Sequence, residues 1–543
     1  MSDAVQSPAA GTDAAEGTAP EARVRPALAS SERRRSSADP AIQGYPVVLT
    51  ADCTLFAGYR ILFEGMVSAS QTSRTPSLLM KHLLAPAVRR DDGVRARQAP
   101  LGLRRVEAAM VRGGWDRRHV AIVGLGSLGR AVGPQTRVLG ISSGYPLGLG
   151  MNSTTMSGIL GGEIYASRWF RALAARVSRL RRRAPDARVV VGGPGAWQLA
   201  HNEAARQALG VDHVVVGYCE GNVAELFDGM AKGEALPAVL AGRGVPPEAV
   251  PPILGPTVMG SVEISRGCGL GCGFCSLARE PMAHLPMDAI LADAQTNVAA
   301  GVANIVLVTE DLFRYGGRAG RVQPQALIEL LRRLRALAGL RLIQTDHANV
   351  ISAAQYTDEE LSDVRSAMIG AGRHDYVWLN LGVETASGAL LAANGGRPKM
   401  GSCAPEAWGA YCLEQVRRLI RLGYFPLVSL VVGLPGETQA DVERTLAWVL
   451  QFRDERLAVF PVFHAPLDGG TVPFGLGDMS AAHWRLFREC YKLNFRWVPR
   501  LFWDNQSAGG VPLWRRVALQ TLGQGQTLWW KALFAWRSGR IWA

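Results

Sequence analysis

Three closely spaced cysteines constrain this chain more than any other feature of its sequence. Cys268, Cys272 and Cys275 follow the short run from Val262 to Ile264 and have the spacing C-x3-C-x2-C. Three thiolates on a short glycine-rich loop can ligate three irons of a cubane cluster. The fourth iron then has no protein ligand and can bind a small molecule. The spacing therefore predicts a [4Fe-4S] cluster that takes part in chemistry.

A zinc site and a two-cluster ferredoxin are the alternative interpretations of these cysteines. Zinc motifs usually repeat a C-x2-C pair, and the sequence has no second pair. The remaining cysteines occur singly, at Cys53, Cys219, Cys403, Cys412 and Cys490. The spacing therefore favours a single cluster with three protein ligands.

Length and composition indicate a globular chain of several domains. The chain has 543 residues, of which 48% are hydrophobic and 19% charged, and no apolar run reaches the length of about 18 residues that a membrane span needs. Residues 1–43 are rich in Ala, Ser, Pro and Glu and lack the apolar core of a secretory signal, so we expect a disordered tail. A thiolate-held cluster also needs a reducing compartment. We therefore expect a cytoplasmic protein.

The balance of charge leaves several partners open. Lys and Arg number 59 against 46 Asp and Glu, a formal net charge of +13. Such a balance can attract nucleic acid, anionic lipid or an acidic substrate, or it can reflect an arginine-rich composition without a binding patch. No compact basic cluster interleaves with aromatic residues in the middle of the chain. We therefore do not expect nucleic acid to bind.

Strands and helices alternate in the first half of the chain. Apolar runs predict strands at 45–51, 119–123, 137–142, 187–191 and 211–216, and an amphipathic helix at 166–183 lies between the third and fourth. This alternation predicts a parallel, doubly wound sheet. Gly124 to Gly129 matches G-x-G-x-x-G, but Gly133-Pro134 interrupts the helix that a dinucleotide site needs, so we do not expect one here.

A second alternation begins near Val258 and contains the cysteines. Predicted strands lie near 262 and at 304–308, 341–345, 376–382, 426–432 and 457–463, with helices between them. Six such units fit a partial (β/α)6 barrel. In barrels of this kind the active groups sit at the carboxyl ends of the strands, and the cysteine loop follows the first strand as this rule requires.

The cysteine motif, with the aromatic Phe274 before its last cysteine, resembles the signature of the radical S-adenosylmethionine (SAM) enzymes. The resemblance implies that the open iron binds the amino and carboxylate groups of SAM. An electron from the cluster then cleaves SAM to a 5'-deoxyadenosyl radical, while the polypeptide supplies placement and excludes water. The family fold is the same partial barrel.

The resemblance also assigns roles to loops after later strands. Glu310 or Asp311 is expected to bind the amino group of SAM. Glu384, in a Gly-Val-Glu-Thr stretch, is expected to accept hydrogen bonds from the ribose or the SAM ammonium. A Gly-x-Pro-Gly-Glu-Thr stretch is expected to line the adenine through Gly433, Pro435, Gly436 and Glu437.

Three glycine-rich loops of the first half resemble the N-terminal cobalamin-binding domain of one large radical SAM subgroup. They follow the third, fourth and fifth predicted strands, where an open α/β sheet binds ligands. The alternative is that they only turn the chain. The resemblance implies cobalamin contacts from Ser142, Ser143, Gly144, Gly192, Gly193, Pro194, Gly217 and Glu220.

One departure from that subgroup concerns cobalt. The D-x-H-x-x-G loop that supplies a histidine is absent, because Thr50 to Thr54 contains no His. If cobalamin binds, its cobalt is expected to lack a histidine ligand. The alternative is a domain that has lost the cofactor.

The C-terminal region is rich in tryptophan and arginine. A helical cap over the barrel mouth is favoured for 481–494, and contact with an anionic membrane is favoured for 528–542. The region contains Trp484, Trp497, Trp503, Trp514, Trp529, Trp530, Trp536 and Trp542, with Arg515, Arg516, Lys531, Arg537 and Arg540.

Together these observations predict an α/β protein of four parts. They are a tail (1–43), a doubly wound, Rossmann-like domain of the cobalamin-binding type (44–245), a radical SAM partial barrel (256–466) and a helical region (467–543). The expected activity is cobalamin-dependent methyl transfer to a small-molecule or natural-product substrate. Ring formation or oxidative rearrangement, as in tetrapyrrole cyclases, is the alternative within the subgroup; electron transfer and RNA modification are alternatives from other classes. An electron donor such as flavodoxin or ferredoxin is the expected protein partner.

Overall fold

A six-stranded parallel sheet forms the N-terminal part of the structure. The computed structural model describes residues 43–91, 93–369, 375–467 and 472–537; the predicted tail up to residue 42, and Arg540 and Trp542, lie outside these ranges. The strand order is β2-β1-β3-β4-β5-β6, so the order reverses between β1 and β3. The strands are β1 (Val47–Ala51), β2 (Val120–Ile122), β3 (Val138–Ser142), β4 (Arg188–Gly192), β5 (His213–Val216) and β6 (Val239–Ala241).

A second parallel array forms the partial barrel. Its strands follow the order β7-β10-β11 and then β12-β13-β14-β15, and β11 and β12 flank the single residue Asp346, so they fill one position of six. A short antiparallel hairpin of β8 and β9 is separate from the array. The strands are β7 (Ser261–Glu263), β8 (Ser265–Arg266), β9 (Ala283–His284), β10 (Asn304–Val308), β11 (Leu342–Thr345), β12 (His347–Ala348), β13 (Val377–Glu384), β14 (Tyr424–Val432) and β15 (Ala458–Phe463).

Helices connect the strands of both arrays and form the C-terminal region, which confirms the predicted fold class. A π-helical turn at Met80–Leu84 continues the short helix Ser77–Leu79. The α-helices are Leu62–Ala69, Ser77–Leu79, Leu101–Arg112, Leu128–Ala131, Met151–Leu160, Tyr165–Arg181, Ala196–Ala200, Glu203–Ala208, Val223–Lys232, Met287–Ala299, Pro324–Arg335, Val350–Ala353, Asp358–Met368, Gly388–Leu391, Trp408–Arg421, Gln439–Leu450, Ala481–Ala508 and Leu513–Arg537.

Sequence reasoning missed β6 and the hairpin of β8 and β9. The sixth strand is three residues long, and its first and last side chains are exposed, so no apolar run marks it. The hairpin strands have two residues each. Strands this short contain too few residues for an apolar or alternating sequence pattern to predict them.

The amino ends of the barrel strands are closed by aromatic packing. Phe63 packs edge-on against Trp378 with 5.6 Å between ring centroids, and it lies 5.5 Å from Phe502. Asn505 accepts a hydrogen bond from the Trp378 indole at 2.7 Å. The N-terminal helix Leu62–Ala69 and the helix Ala481–Ala508 therefore close the same end of the barrel.

The helix Ala481–Ala508 also covers the edge strand β15. The Asn494 side chain accepts from the Val459 amide at 2.8 Å and donates to its carbonyl oxygen at 2.7 Å. An unpaired strand edge is thereby satisfied by a side chain. Near its first turn, His483 meets Glu437 with 3.0 Å between Nε2 and Oε2. The helix thus runs beside β15 over the height of the barrel, rather than only over its mouth.

A buried network of charges joins the sheet domain to the barrel. Arg266 contacts Glu220 at 2.6 Å and Glu263 at 2.8 Å. Arg105, from the helix Leu101–Arg112, lies 3.6 Å from Glu263 and pairs with Asp293 on the first barrel helix. All five side chains are at least nine-tenths buried. Each charge therefore depends on its partners, because an unpaired charge in the interior is very costly.

Replacing Arg105 by Met should destabilise the protein by about 3 kcal/mol, because it leaves the buried Asp293 carboxylate without its counter-ion. The urea midpoint measures the loss. The matched control Arg333→Met removes an exposed pair with Glu329, whose side chains are 52% and 50% exposed, and should change stability by less than about 0.5 kcal/mol. The double variant Arg105→Met/Asp293→Leu should recover part of the loss. Equal midpoint shifts in the two arginine variants would contradict the network's role.

Candidate active site

The three cysteines lie on a loop that β8 and β9 close at its base. The Cys268 amide donates to the carbonyl oxygen of Glu280, and the Gly271 amide donates to that of Ala278, both at 2.9 Å. The Arg314 guanidinium donates to the Cys268 carbonyl oxygen at 2.7 Å. Backbone bonds across the loop, rather than side-chain packing alone, hold the cysteines in place.

Glycine at alternate positions lets this loop fold tightly. Gly267, Gly269 and Gly271 have φ values of +69°, +71° and +70°, which other residues reach only with strain. A Cβ on Gly267 would lie 2.5 Å from the carbonyl oxygen of Pro281. The glycines before and after Cys268 are therefore a backbone requirement of the loop.

The three thiols suit an iron–sulfur cluster. Burial raises the pKa of all three and brings that of Cys272 to about 11, so the thiolates need a bound cation to form at neutral pH. No three His, Cys, Asp or Glu side chains among the described residues are grouped to hold one metal ion. A cubane has no need of such a group, because each cysteine ligates a different iron. Cys268, Cys272 and Cys275 therefore fit a cluster better than a single ion.

A buried ion pair lies beside the cysteine loop. Lys399 pairs with Glu384, and both side chains are about 10% exposed. Burial pulls the pKa of Lys399 down, but the charge of Glu384 and the neighbouring Cys272 outweigh it, and the pKa is raised. A Cβ on Gly382 would lie 2.3 Å from Oε1 of Glu384 and 2.5 Å from Nζ of Lys399. The glycine thus makes room for the pair.

Glu384 has an unusual backbone for a glutamate. Its φ is +68°, and the pairing of β13 with β14 shifts register between Gly382 and Glu384. Non-glycine residues held in this region are strained, and such strain clusters at functional sites. The sequence motif marked Glu384 as a ligand of SAM, but it gave no sign that Lys399 would occupy the same carboxylate.

Glu310 and Asp311, which the sequence could not separate, have different surroundings. Asp311 is fully buried and accepts from the Asn349 amide at 3.1 Å and the Ser352 hydroxyl at 2.6 Å. It therefore orders the turn after β12. Glu310 is partly exposed, and burial raises its pKa. Of the two, Glu310 is the carboxyl group available to a bound molecule.

Asp346 and His347 form a charged pair that sequence reasoning missed. They follow β11 at the carboxyl end of the third barrel position, with 3.2 Å between Nδ1 of His347 and Oδ2 of Asp346. The backbone amide of Asn380 donates to the backbone carbonyl oxygen of Asp346 at 2.9 Å. Partial desolvation of the half-exposed ring lowers the pKa of His347, but the charges of Asp346, Glu310 and Glu384 outweigh it and raise the pKa to about 9. Their position after a predicted strand was the signal that could have found them.

The glycine-rich stretch after β14 is held by its own glutamate. Oε2 of Glu437 accepts from the Gly433 amide at 2.8 Å and faces Nε2 of His483 at 3.0 Å. A Cβ on Gly433 would lie 2.2 Å from the ring of Phe474. Glu437 therefore shapes the loop that was predicted to line adenine, and Gly436 has no atom near its Cβ position.

Asn394 connects this loop to the cysteines. Its carbonyl oxygen accepts from the Gly273 amide at 2.9 Å, and its side chain donates to the carbonyl oxygen of Pro435 at 3.0 Å. The neighbouring Phe274 is 6% exposed and belongs to the barrel core. One asparagine thus bridges the cysteine loop and the predicted adenine loop.

Two of the three glycine loops of the sheet domain pack on each other. The Ser143 amide donates to the Gly192 carbonyl oxygen at 3.1 Å. A Cβ on Gly193 would lie 2.6 Å from the hydroxyl of Ser142. Around these contacts, Gly193, Pro194 and Gly217 are exposed and Gly144 is half-buried, so accessible backbone lies at the carboxyl edge of the sheet.

Beneath this edge lie buried polar atoms without a hydrogen-bond partner. They are Oγ1 of Thr50, Oδ2 of Asp52 and Oγ of Ser143, on residues that are at most 2% exposed. Thr50 and Asp52 end or follow β1, and β1 pairs with β3 at the point where strand order reverses. Open α/β sheets bind ligands there. Small accessible residues over unsatisfied polar atoms fit a large ligand that carries amide groups.

The sheet edge faces the barrel mouth. The guanidinium of Arg266, two residues before Cys268, lies 4.2 Å from the ring centroid of Tyr218, which follows β5. Tyr145 follows β3. Desolvation raises the pKa of its hydroxyl, and the nearby charge of Asp346 raises it further. Glu220, which was predicted to touch cobalamin, binds Arg266 through Oε1. The loops of both domains therefore meet at one place.

Two sequence relatives each match less than half of the chain. Ribosomal protein uS12 methylthiotransferase RimO of Anaeromyxobacter sp. (strain K) is 30% identical over 202 residues, which is 37% of this chain and 39% of that protein. RimO of Geotalea uraniireducens (strain Rf4) is 29% identical over 250 residues, 45% of this chain and 51% of that protein. This chain thus spans about two fifths to half of the length of these relatives.

Similarity to solved structures is low. The methyltransferase TsrM of Kitasatospora setae, solved with cobalamin and a [4Fe-4S] cluster, gives a TM-score of 0.49 at 15% identity over 78% of this chain and 77% of that one. Methylornithine synthase (PylB) gives 0.29 at 17% identity, over 43% of this chain and 62% of that one. Scores of this size carry no functional inference.

The family comparison covers the barrel itself. Residues 262–449 match the model of the Radical SAM superfamily. The matched span runs from β7 to the helix after β14, and it includes the cysteine loop, Glu310, Glu384 and the stretch after β14. The family implies a [4Fe-4S] cluster and SAM as cofactors, and the thiols fit that cluster. Residues 262–449 are therefore a radical SAM domain.

Proposed function

We propose that the chain is a cobalamin-dependent radical SAM methyltransferase acting on a small-molecule or natural-product substrate. The observation that carries this proposal is the meeting of two loop clusters. The cysteine loop at the barrel mouth faces the carboxyl edge of the sheet domain, and Arg266 contacts Tyr218 and Glu220 across the boundary. A methyl carrier in the sheet domain and SAM in the barrel would then share one enclosed space.

Each element of the site has a role under this proposal. Cys268, Cys272 and Cys275 would hold the cluster, and Glu310 would bind the SAM ammonium, since a carboxylate is the natural partner of a buried ammonium. When bound, the thiolate-held cluster would supply the electron for SAM cleavage and a corrinoid would carry the methyl group. Because cleavage consumes an electron, a small reductant protein such as flavodoxin or ferredoxin is the proposed partner.

Asp346 and His347 supply a proton-handling pair. Asp346 orients the imidazole, and the side chain of His347 is 48% exposed, so its second nitrogen is accessible at the barrel mouth. Methylation of a carbon or nitrogen that bears hydrogen releases a proton. Because the pKa of His347 is raised to about 9, its imidazole is protonated at neutral pH, so the pair is suited to donate a proton or to stabilise a developing negative charge, and to accept a proton only at higher pH. The pair would serve ring formation equally well, which remains the alternative within the subgroup.

The sequence relatives are methylthiotransferases, and the metal content separates methylthiolation from our proposal. Before the cysteine loop the sequence contains only Cys53 and Cys219, too few for a second cluster with three protein thiolates. A single cluster accounts for about four irons per chain.

Contact with a membrane is a separate proposal that rests on the C-terminal helix and not on this chemistry.

Replacing Cys272 by Ala should abolish reductive cleavage of SAM, because one iron loses its ligand. After anaerobic reconstitution, the wild type should contain about four irons per chain and the variant less than about half of that. Production of 5'-deoxyadenosine with dithionite is the activity readout. The control Cys403→Ala changes a half-buried cysteine outside the motif and should keep both iron and cleavage. Zinc in the wild type, or cleavage by the Cys272 variant, would contradict the assignment.

Replacing Gly192 by Leu should reduce retention of hydroxocobalamin to less than about a tenth, because the added bulk occupies the sheet edge. A Cβ on Gly192 meets nothing closer than 3.8 Å, so the fold should tolerate the change. Cobalt content and corrinoid absorbance measure retention. With SAM and reductant, the wild type should form about one S-adenosylhomocysteine per corrinoid.

The matched control for that experiment is Gly102→Leu, on a helix where nothing lies within 4 Å of the Cβ position. It should retain the corrinoid. A wild-type protein that cleaves SAM but binds no corrinoid would exclude the methyltransferase proposal and leave the radical SAM assignment intact.

His347 should titrate near pH 9, and Asp346→Asn should lower its pKa by removing the main favourable charge. NMR of labelled histidine, assigned with His347→Gln, measures the value. Because the folded pKa exceeds the usual 6.5, the protonated pair stabilises the fold below pH 6.5, and this contribution is lost as the pH rises through 9. A pKa unchanged in Asp346→Asn would show that the pair is not coupled.

A further inference from the structure

The outward face of the C-terminal helix Leu513–Arg537 is apolar, the reverse of an ordinary surface helix. Leu513, Trp514, Val517, Leu528, Trp529 and Trp536 are between 41% and 76% exposed. At 3.6 residues per turn these six positions fall within about 160° of the helix circumference. We call them the outer face.

The opposite side of the same helix is firmly packed, so the outer face is fixed in orientation. Arg515 pairs with the buried Glu64 at 3.1 Å and donates to the Leu83 carbonyl oxygen at 3.2 Å. Phe534 packs on Tyr491 with 4.8 Å between ring centroids. The helix is therefore docked on the protein, and its exposed tryptophans are not exposed because the helix is unpacked.

The neighbouring segment extends this surface. Gln526 donates to the Gln71 side chain at 2.7 Å, which places residues 71–84 beside the helix. In that segment Leu78 is 71% exposed, and Lys81 and Arg74 are exposed cations. A further apolar side chain, Leu78, thus lies next to the outer face, together with two cations, Arg74 and Lys81, which we call the basic rim.

The charge around the surface has one sign. Residues 65–90 and 505–537 contain no Asp and no Glu. The basic residues of these stretches are Arg74, Lys81, Arg89, Arg90, Arg515, Arg516, Lys531 and Arg537. Lys531 is exposed and lies 5.6 Å from the ring centroid of Phe495. Tryptophan and leucine on the outer face of a helix whose own charged residues are all basic are typical of a helix that lies in a lipid interface.

We propose that the outer face docks on an anionic lipid surface, with the tryptophans at headgroup depth and the basic rim toward the lipid phosphates. Among the described residues no helix has the length and hydropathy to cross a bilayer, so the contact is peripheral. The proposal is independent of the barrel chemistry, because Arg515 docks the helix on residues 64 and 83, which belong neither to the cysteine loop nor to the predicted SAM-binding loops.

Sedimentation with sucrose-loaded vesicles tests the proposal on the full chain. With equal parts phosphatidylglycerol and phosphatidylcholine, the wild type should bind, and Trp514→Ser/Trp529→Ser/Trp536→Ser should bind about tenfold more weakly. Lys81→Glu/Lys531→Glu should also weaken binding about tenfold, and high salt should do the same to the wild type. The controls Val239→Ser, an exposed apolar residue of β6, and Lys232→Glu should bind like the wild type.

Other occupants give distinct results. No binding to anionic vesicles, or binding that the tryptophan variant does not weaken, overturns the proposal. If the wild type instead forms a concentration-dependent dimer that the tryptophan variant abolishes, the outer face binds a second copy of the chain. Iron content and SAM cleavage should be equal in all these variants, so failure here leaves the proposed activity untouched.

Discussion

The guanidinium of Arg266 is the point on which the two halves of this enzyme depend. It lies at the start of the cysteine loop, its charge is met by Glu220 from the sheet domain and by Glu263 from the barrel, and Tyr218 covers its face. Such a group is stable in the interior only while every partner is in place. Domain contact and the position of the cysteines are therefore set by the same interactions.

The secondary structure was accessible from sequence because each central strand is a continuous apolar run. Residues 304–308 and 426–432 are of this kind, and both lie within strands of the structure. Strands buried on both faces give this signal, whereas β6, which is short and exposed at both ends, gives none. The alternation with helices then predicted parallel strands, whereas the order of the strands within each array was not predicted.

The site was accessible only in part, because side-chain partners lie far apart in the chain. The motif identified Glu310 and Asp311 together, and only the contacts of Asp311 with Asn349 and Ser352 distinguish them. Lys399 stands in a glycine-rich stretch where a solvated lysine is the usual expectation. Its pairing with Glu384 is a tertiary contact, and no local sequence pattern predicts it. The same holds for Asp346 and His347, because the charges that raise the pKa of His347 include Glu310 and Glu384 from other loops.

The way the barrel is finished has a consequence for biosynthesis. The edge of β15 is satisfied by Asn494, and the opposite end of the barrel is closed by Phe63 and Phe502. The barrel core is thus incomplete until residues near 505 have left the ribosome. Because these contacts come from a segment far beyond the cysteines in the chain, we expect the barrel around the cysteine loop to complete its packing only late in synthesis.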